Sequence, residues 1–335
     1  MASNSWLPKT DPLSGKKTGW FGKELPKNAS STWNPLAAPP PSPTPQLSKE
    51  YVYAGSRLLA VEDANANAAP PADLAVWRPS DGNWHVLGGT GSAAVTYNWG
   101  VGTDKVAQGD YDGDGKTDFA IYRPSASGQF YVVRSSDGST TSYQIGSTND
   151  LPAPGDYDGD GKTDYALYRP SDGSWYVVNS STGILSYPYL GVTGTSAPAD
   201  YDGDGKADAA VLNGSTFTAR LTSNGQLQTV PIGSTGTPVS ADYDGDGKAN
   251  YSVRSGAGWI IANATLTPQS AITPSGDQST DIPVQNDYDG DGKVDIAVWR
   301  PSTGVWYIRQ SSNSQTRTEA FGMTGDIPVA AYYRR

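Results

Sequence analysis

Apolar and aromatic residues fall in short runs along this chain, each cut off by Gly, Pro, Ser or Asp. Asp118-Phe119-Ala120-Ile121-Tyr122-Arg123, Asp164-Tyr165-Ala166-Leu167-Tyr168-Arg169 and Asp295-Ile296-Ala297-Val298-Trp299-Arg300 are three versions of one run. Behind each comes a Pro-Ser turn with a Gly, as in Pro170-Ser171-Asp172-Gly173, and then an aromatic-rich run such as Trp175-Tyr176-Val177-Val178 or Trp306-Tyr307-Ile308. A polar Ser/Thr/Gly turn leads to a third run, Ser142-Tyr143-Gln144-Ile145 for example. Leu151-Pro152-Ala153-Pro154 or Ile282-Pro283-Val284 supplies a fourth. β-branched and aromatic runs bounded by turn residues predict strands. No segment keeps a 3.6-residue period long enough for a helix, so the chain is expected to be all-β.

The pattern recurs. Asp-Tyr-Asp-Gly-Asp-Gly-Lys begins at Asp110, Asp156, Asp200, Asp242 and Asp287, at spacings of 46, 44, 42 and 45 residues. Such a period marks a repeat architecture whose units cannot bury a core alone. Four short strands per unit describe the blade of a β-propeller. The same unit extends upstream: Asp73-Leu74-Ala75-Val76-Trp77-Arg78-Pro79-Ser80 lies 45 residues before its counterpart at Asp118. Its acidic slot reads Asn65-Ala66-Asn67-Ala68-Ala69-Pro70-Pro71-Ala72-Asp73, has lost its glycines and most of its Asp, and is expected to hold no cation. At the other end Asp326-Ile327-Pro328-Val329 matches Asp281-Ile282-Pro283-Val284, and the chain stops where a further loop would start. The final strand is therefore expected to complete the first sheet and close a ring. Counting from residue 64 predicts six four-stranded blades over 64–335, or seven if residues 1–63 add one. Residues 1–50 end in a Pro-rich run, Pro39 to Pro45, expected to be an extended spacer with little fixed structure before it. Residues 51–63 read as a hairpin around Ala54-Gly55-Ser56.

The repeated phrase carries the chemistry. In Asp110-Tyr111-Asp112-Gly113-Asp114-Gly115-Lys116-Thr117-Asp118, carboxylates stand at positions one, three, five and nine. Four carboxylates in nine residues repel one another unless a counter-ion lies between them, and calcium accepts six to eight oxygens, carboxylate and backbone alike. The candidate ligands are Asp110, Asp112, Asp114 and Asp118; Asp156, Asp158, Asp160 and Asp164; Asp200, Asp202, Asp204 and Asp208; Asp242, Asp244, Asp246 and Asn250; and Asp287, Asp289, Asp291 and Asp295. The carbonyls of Lys116, Lys162, Lys206, Lys248 and Lys293 at position seven are expected to add one oxygen each. Asn250 brings an oxygen but no charge, so its loop is expected to be the weakest. About five calcium ions are thus expected. Magnesium, which demands a tight octahedron and keeps its waters, fits less well. An EF-hand needs Glu at position twelve, where this chain has Ile121, Leu167, Val211, Val253 and Val298, so that fold is excluded. Nonapeptide β-helix repeats, which follow without gaps, are excluded by the long period.

Charge fits this picture. The loops hold nineteen Asp and five Lys, summing to −14, while the whole chain is −10. The acidity is metal-site acidity, and no basic patch suggests a nucleic-acid partner. There is no Cys, hence no disulfide framework, and no apolar run long enough for a membrane span. Met1 to Gly22 lacks the apolar stretch of a signal peptide, so secretion would be encoded elsewhere or the chain is a piece of a longer protein. The single histidine, His85, replaces Tyr131, Tyr176 and Tyr307 of other units and reads as a substituted strand residue rather than a general base. With no Cys and no Gly-x-Ser-x-Gly elbow, a hydrolase or lyase is the least favoured function. Trp84, Phe130, Trp175, Trp259 and Trp306, with Phe217 nearby, read as an inter-blade core layer. Arg78, Arg123, Arg169 and Arg300 read as structural, each reaching a backbone carbonyl or a loop carboxylate.

Asp-x-Asp-x-Asp-Gly-x-x-Asp followed by an apolar strand, as from Asp156 to Leu167, resembles the FG-GAP and VCBS-type repeats of integrin α-chain propellers and bacterial surface proteins. The resemblance implies calcium loops in a hairpin between two strands of each blade. It also implies a secreted or cell-surface protein active in adhesion or lectin-like recognition of a glycan or protein ligand. Tyr51 to Asp63 resembles a YD repeat of the Rhs family of large secreted proteins, which implies instead a structural C-terminal domain of such a protein. The expected state is a monomeric propeller or part of a larger chain.

Overall fold

The computed structural model describes residues 71–88, 94–271, 273–331 and 333, and the backbone of strands Lys9–Thr10, Lys17–Thr18, Glu50–Ala54 and Arg57–Glu62. The chain divides into two compact units, residues 1–64 and 65–335. In the first, Lys9–Thr10 pairs antiparallel with Lys17–Thr18, and Glu50–Ala54 with Arg57–Glu62. The Pro-rich spacer expected at Pro39 to Pro45 and the degenerate slot at 65–70 lie outside the described residues.

The second unit is a β-propeller of six four-stranded antiparallel blades. Blade 1 pairs Ile327–Pro328, Leu74–Arg78, Asn83–Leu87 and Val95–Asn98 in that order. Blade 2 runs Lys105–Val106, Phe119–Arg123, Gln129–Val133, Thr140–Gln144. Blade 3 runs Leu151–Pro152, Tyr165–Arg169, Ser174–Val178, Leu185–Ser186. Blade 4 runs Thr195–Ser196, Ala209–Asn213, Thr216–Arg220, Leu227–Pro231. Blade 5 runs Thr237–Pro238, Ser252–Ser255, Gly258–Ala262, Pro268–Ala271. Blade 6 runs Ile282–Pro283, Ile296–Arg300, Val305–Arg309, Thr316–Ala320.

The seven-blade alternative is corrected by the closure. Ile327 pairs with Trp77 and Pro328 with Val76, so the last strand of the chain supplies the first strand of blade 1. Blade 1 is then complete with four strands, and the four described strands of residues 1–64 pair only among themselves. The strand that closes it is the one whose sequence copies Ile282-Pro283 of blade 6.

Burial explains why each strand has its composition. The central residues of the second strands are buried on both faces, since each lies between neighbouring blades and sequence there is continuously apolar. Third strands alternate, and fourth strands, at the outer edge, are mostly exposed and rich in Thr, Ser and Gln. The core is divided among the seams between successive blades. Tyr168, Trp175 and Val177 of blade 3 pack with Ala209 and Val211 of blade 4, and Trp299 and Trp306 of blade 6 pack with Leu74 and Val76 of blade 1. Trp84, Phe130, Trp175, Trp259, Trp306 and Phe217 are at most 1% exposed, which leaves them to packing and removes them as ligand platforms.

The arginines find a partner other than the acidic loops. Arg123 grips Asp104 through two hydrogen bonds of 2.8 and 2.9 Å; Arg169 does the same with Asp150, Arg300 with Asp281 and Arg78 with Asp326. Each Asp heads the first strand of the blade whose second strand ends in that Arg, and all four carboxylates are buried. Arg123, Arg169 and Arg300 also lie over the rings of Tyr131, Tyr176 and Tyr307. Where the Arg is lost the Asp is lost with it: blade 4 has Asn213 and Gly194, and blade 5 has Ser255 and Gly236. Blade 5 instead buries Arg254, one residue earlier, against Asp277 at 2.7 Å.

A buried carboxylate stripped of its guanidinium is costly. Arg300→Ala should therefore lose about 3 kcal/mol of stability in chemical denaturation. A loss under about 1 kcal/mol, the range of exposed pairs, would show that Asp281 is not sequestered as described.

Candidate metal-binding loops

Each acidic loop joins the first strand of its blade to the second. Because strands alternate in direction, all five loops emerge on one face of the ring, and the Arg–Asp pairs hold the other. The loop is folded by its own carboxylates. Asp110 accepts the N–H groups of Gly113 at 2.7 Å and Gly115 at 2.8 Å, one on each oxygen. Asp156, Asp200, Asp242 and Asp287 repeat this arrangement. Gly113 and Gly115 have φ of 80° and 83°, a backbone that glycine adopts without strain. Asp112 accepts from the Asp114 N–H, and Asp114 from the Lys116 N–H. The same position-five carboxylate holds the N–H of Lys162, Lys206, Lys248 and Lys293 in the other loops.

Position nine pins the loop to the sheet. Asp118 is buried and accepts the Tyr111 N–H at 2.9 Å on one oxygen and the Ser135 N–H at 2.7 Å on the other. Asp164, Asp208 and Asp295 do the same. The Tyr of each phrase turns inward, and its hydroxyl donates to a carbonyl four residues back, as Tyr111 does to Ala107 at 2.7 Å. The final Tyr333 donates to Val329 in the same way, so the tyrosine anchor survives in blade 1 although the acidic phrase does not.

The structure brings three carboxylates of each loop within 4.8 Å of one another: Asp110, Asp112 and Asp118; Asp156, Asp158 and Asp164; Asp200, Asp202 and Asp208; Asp242, Asp244 and Asp246; Asp287, Asp289 and Asp291. Asp114, Asp160, Asp204 and Asp295 stand outside these trios. In the fourth loop the Asn250 Oδ1 accepts the Tyr243 N–H at 2.8 Å, and its amide donates to Asp244 and to the Ala262 carbonyl, each at 3.2 Å.

A second set of residues closes the loops, drawn from what reads in the sequence as a polar Ser/Thr/Gly turn. Ser135 and Ser136, between the third and fourth strands of blade 2, donate their hydroxyls to Asp114 at 2.9 Å and Asp112 at 2.5 Å. Ser180 and Ser181 serve blade 3, Thr222 and Ser223 serve blade 4, and Ser312 reaches Asp289 in blade 6. The available signal was a hydroxyl pair recurring behind the third strand of these units. Blade 5 has Asn263-Ala264 there. The fourth loop thus departs twice, losing a charge at Asn250 and its hydroxyl clasp.

Neighbouring loops are tied together. The N–H of Thr163 donates to the carbonyl of Asp110 at 2.6 Å, and Ala207, Ala249, Val294 and Ala72 repeat the link to Asp156, Asp200, Asp242 and Asp287. The stem of Lys162 lies over Gly113 of the preceding loop, as Lys206 does over Gly159. A Cβ at Gly159 would approach the Lys206 stem to 2.9 Å.

Burial raises the position-nine carboxyls. Asp118, Asp208 and Asp295 are pushed up to about 6, and Asp164 is raised too; desolvation is the largest cause, partly offset by the N–H groups they accept. The donor set suits a hard cation. It is oxygen throughout, each carboxylate oxygen that accepts an N–H keeps a second lone pair, and the buried Ser311 Oγ beside the fifth loop has no protein partner. Three converged carboxylates with serine oxygens behind them can take a divalent ion of calcium's size and coordination habit.

Residues 110–167 match the FG-GAP-like repeat. No curated protein matches the sequence. Among solved structures, a chain of the nidogen/laminin complex is 12% identical, with 79% of this chain and 100% of that one covered at a TM-score of 0.54. A streptogramin B lyase is 10% identical, with 77% and 86% covered at 0.51. The dihydro-heme d1 dehydrogenase NirN is 13% identical over 83% of this chain at 0.42, and this chain spans 59% of its length. At such identities the likeness is one of fold, the β-propeller.

Gly159→Ala forces a side chain into a left-handed backbone and against Lys206, and should cost about 1–2 kcal/mol, measured as a fall in unfolding free energy. In cation-free buffer the raised position-nine carboxyls set a pH trend. Their folded values exceed the ordinary value, so their contribution to stability is complete below that value and is lost as pH rises through about 6. The melting temperature of the chelated protein should therefore fall between pH 5 and pH 7. A rise over that interval would show that these carboxyls are not desolvated.

Proposed function

We propose that this β-propeller with FG-GAP-like repeats is a non-catalytic binding module of a secreted or cell-surface protein, stabilised by calcium held in its five loops. The observation that carries it is the fivefold convergence of three carboxylates within 4.8 Å on one face. Like charges that close cost stability unless an ion lies among them. When bound, calcium supplies two positive charges per loop that offset this repulsion. The chain's own part is to present the oxygens. Asp110 and its counterparts wrap the loop through glycine N–H groups, Asp118 and its counterparts anchor it to the second strand, and the serine pairs orient Asp112 and Asp114. Ion binding then becomes folding free energy. Millimolar calcium outside cells would fill even weak loops of this kind, which supports an extracellular setting. The fourth loop, with Asn250 in place of a charge and no hydroxyl clasp, should fill last.

Against catalysis stands the environment of the single histidine. His85 Nδ1 meets Thr96 Oγ1 at 3.0 Å in the strand pair of blade 1, and its Nε2 is buried with no hydrogen-bond partner among the described residues. Among the described residues, the carboxylates that cluster in threes are those of the loops. The propeller scaffold also occurs in the nidogen/laminin complex, a protein–protein assembly, which agrees with a binding role.

Chelation should lower the melting temperature by more than about 10 °C at pH 7.5, with recovery on adding calcium, because several ions are lost from one domain. Metal analysis should return about five calcium ions per chain, one for each acidic loop, and about one fewer for Asp158→Ala. Unfolding indifferent to chelator, or a calcium-free protein, would overturn the proposal.

A further inference from the structure

Blade 3 departs from the other blades at its outer edge. Its fourth strand is Leu185–Ser186, two residues long, where blades 2, 4 and 6 have five. The cause is Pro188. Asn179 N–H donates to Ile184 O and Val177 pairs with Ser186, so the alternation places Trp175 opposite Pro188 and Gly173 opposite Leu190 at the next hydrogen-bonded positions. Pro188 has no N–H to give. The link that ends the outer strand elsewhere, Ile145 N–H to Gly128 O at 2.9 Å and Phe321 N–H to Gly304 O at 2.8 Å, has no counterpart here. The indole N–H of Trp175 loses its acceptor too: Trp84 and Trp306 donate to the backbone of Trp99 and Phe321, while Trp175 Nε1 is buried without a partner.

The segment Tyr187-Pro188-Tyr189 leaves the sheet and carries two rings into solvent. Tyr187 is 63% and Tyr189 72% exposed, more than any other aromatic among the described residues. The outer-strand tyrosines of other blades are committed: Tyr97 stacks on Phe119 and Tyr143 on Tyr165, both at 5.1 Å. Tyr187 meets its neighbour Tyr176 at 77°, edge to face. Beside it an open cleft of about 290 Å³ runs between blades 3 and 4, lined by Tyr157, Asn179, Ser186, Tyr187, Pro188 and Arg220. Arg220 is the one charged lining residue and spends one N–H on the Tyr189 carbonyl at 3.2 Å. The volume is at the small end of ligand clefts.

We infer that this cleft is a saccharide-binding site, with a sugar ring resting on Tyr187 and its hydroxyls held by Asn179, Ser186 and Arg220. It rests on the binding-module reading and gives it a location and a ligand class. A sugar offers one C–H face and a rim of hydroxyls, which suits an exposed tyrosine bordered by an amide, a hydroxyl and a guanidinium. An added peptide strand suits the cleft less, because it needs a backbone edge of alternating donors and acceptors, and Pro188 removes a donor from the edge at hand. A second copy of the chain would offer the same proline-blocked edge.

The test exposes the full chain, in calcium buffer, to immobilised oligosaccharides, neutral and uronate-bearing, with titration of any that bind. The expected result is capture of at least one glycan, weakened tenfold or more by Tyr187→Ala and by Arg220→Gln, both of which keep a calcium-dependent melting transition, and unchanged in Tyr143→Ala, which lies on the outer strand of another blade. Preference for uronates over neutral sugars, abolished by Arg220→Gln, would assign the guanidinium a carboxylate partner within the same site. The inference fails if no glycan is captured by a chain whose melting still responds to calcium, a result that leaves the calcium reading standing. It fails equally if Tyr187→Ala binds as well as the unmodified chain. Loss, in Tyr187→Ala, only of self-association or of binding to an added proline-rich peptide would also overturn it.

Discussion

Carboxylates forced together on a glycine-permitted loop are the interaction on which this molecule turns. Asp110 can take two N–H groups only because Gly113 and Gly115 hold positive φ, and Asp118 can take two more only because it is buried at the start of the second strand. The loop is thus ordered around a concentration of negative charge. That charge is tolerable while N–H groups face it and becomes favourable once a cation is added. Every blade with a full phrase repeats this balance.

The loops are also a structural belt. Links from Thr163 to Asp110 and onward to Ala72 and Asp287 run from blade to blade on the loop face. On the other face, buried Asp104, Asp150, Asp281 and Asp326 clamp the strand ends through arginine. Between these polar layers lies the apolar seam of Trp, Tyr and Val. Each blade is too thin to bury a core by itself, so stability belongs to the ring. Closure by Ile327–Pro328 against Val76 and Trp77 is what gives blade 1, which has no acidic phrase, its first strand.

Irregularities mark where the repeat has been diverted. Blade 5 gives up a loop charge, the hydroxyl clasp and the Arg–Asp pair together, and substitutes Asn250 and Arg254. Blade 3 keeps loop and clasp, but its outer strand is cut to two residues ahead of Pro188, and two tyrosines stand in solvent. A repeat protein tolerates such changes because each unit contacts only its neighbours, so one blade can specialise while the others hold the ring.

The sequence by itself determined the all-β class, the repeat length and the positions of the acidic loops, because strand alternation, glycine-rich turns and a recurring phrase are local signals; between six blades and seven it left a choice that the closure of blade 1 decided. It also placed the closing strand, since Asp326 to Val329 copies Asp281 to Val284. It did not reveal that Ser135 and Ser136 clasp Asp114 and Asp112 from more than twenty residues away, nor that Arg123 chooses Asp104 rather than a loop carboxylate. Nor did it separate the position-nine Asp, buried and raised, from its exposed neighbours. Those outcomes depend on which strand ends share a face and which groups lose water there. Only the folded ring fixes both, and in blade 3 it alone turns one missing N–H into a short outer strand and two exposed rings.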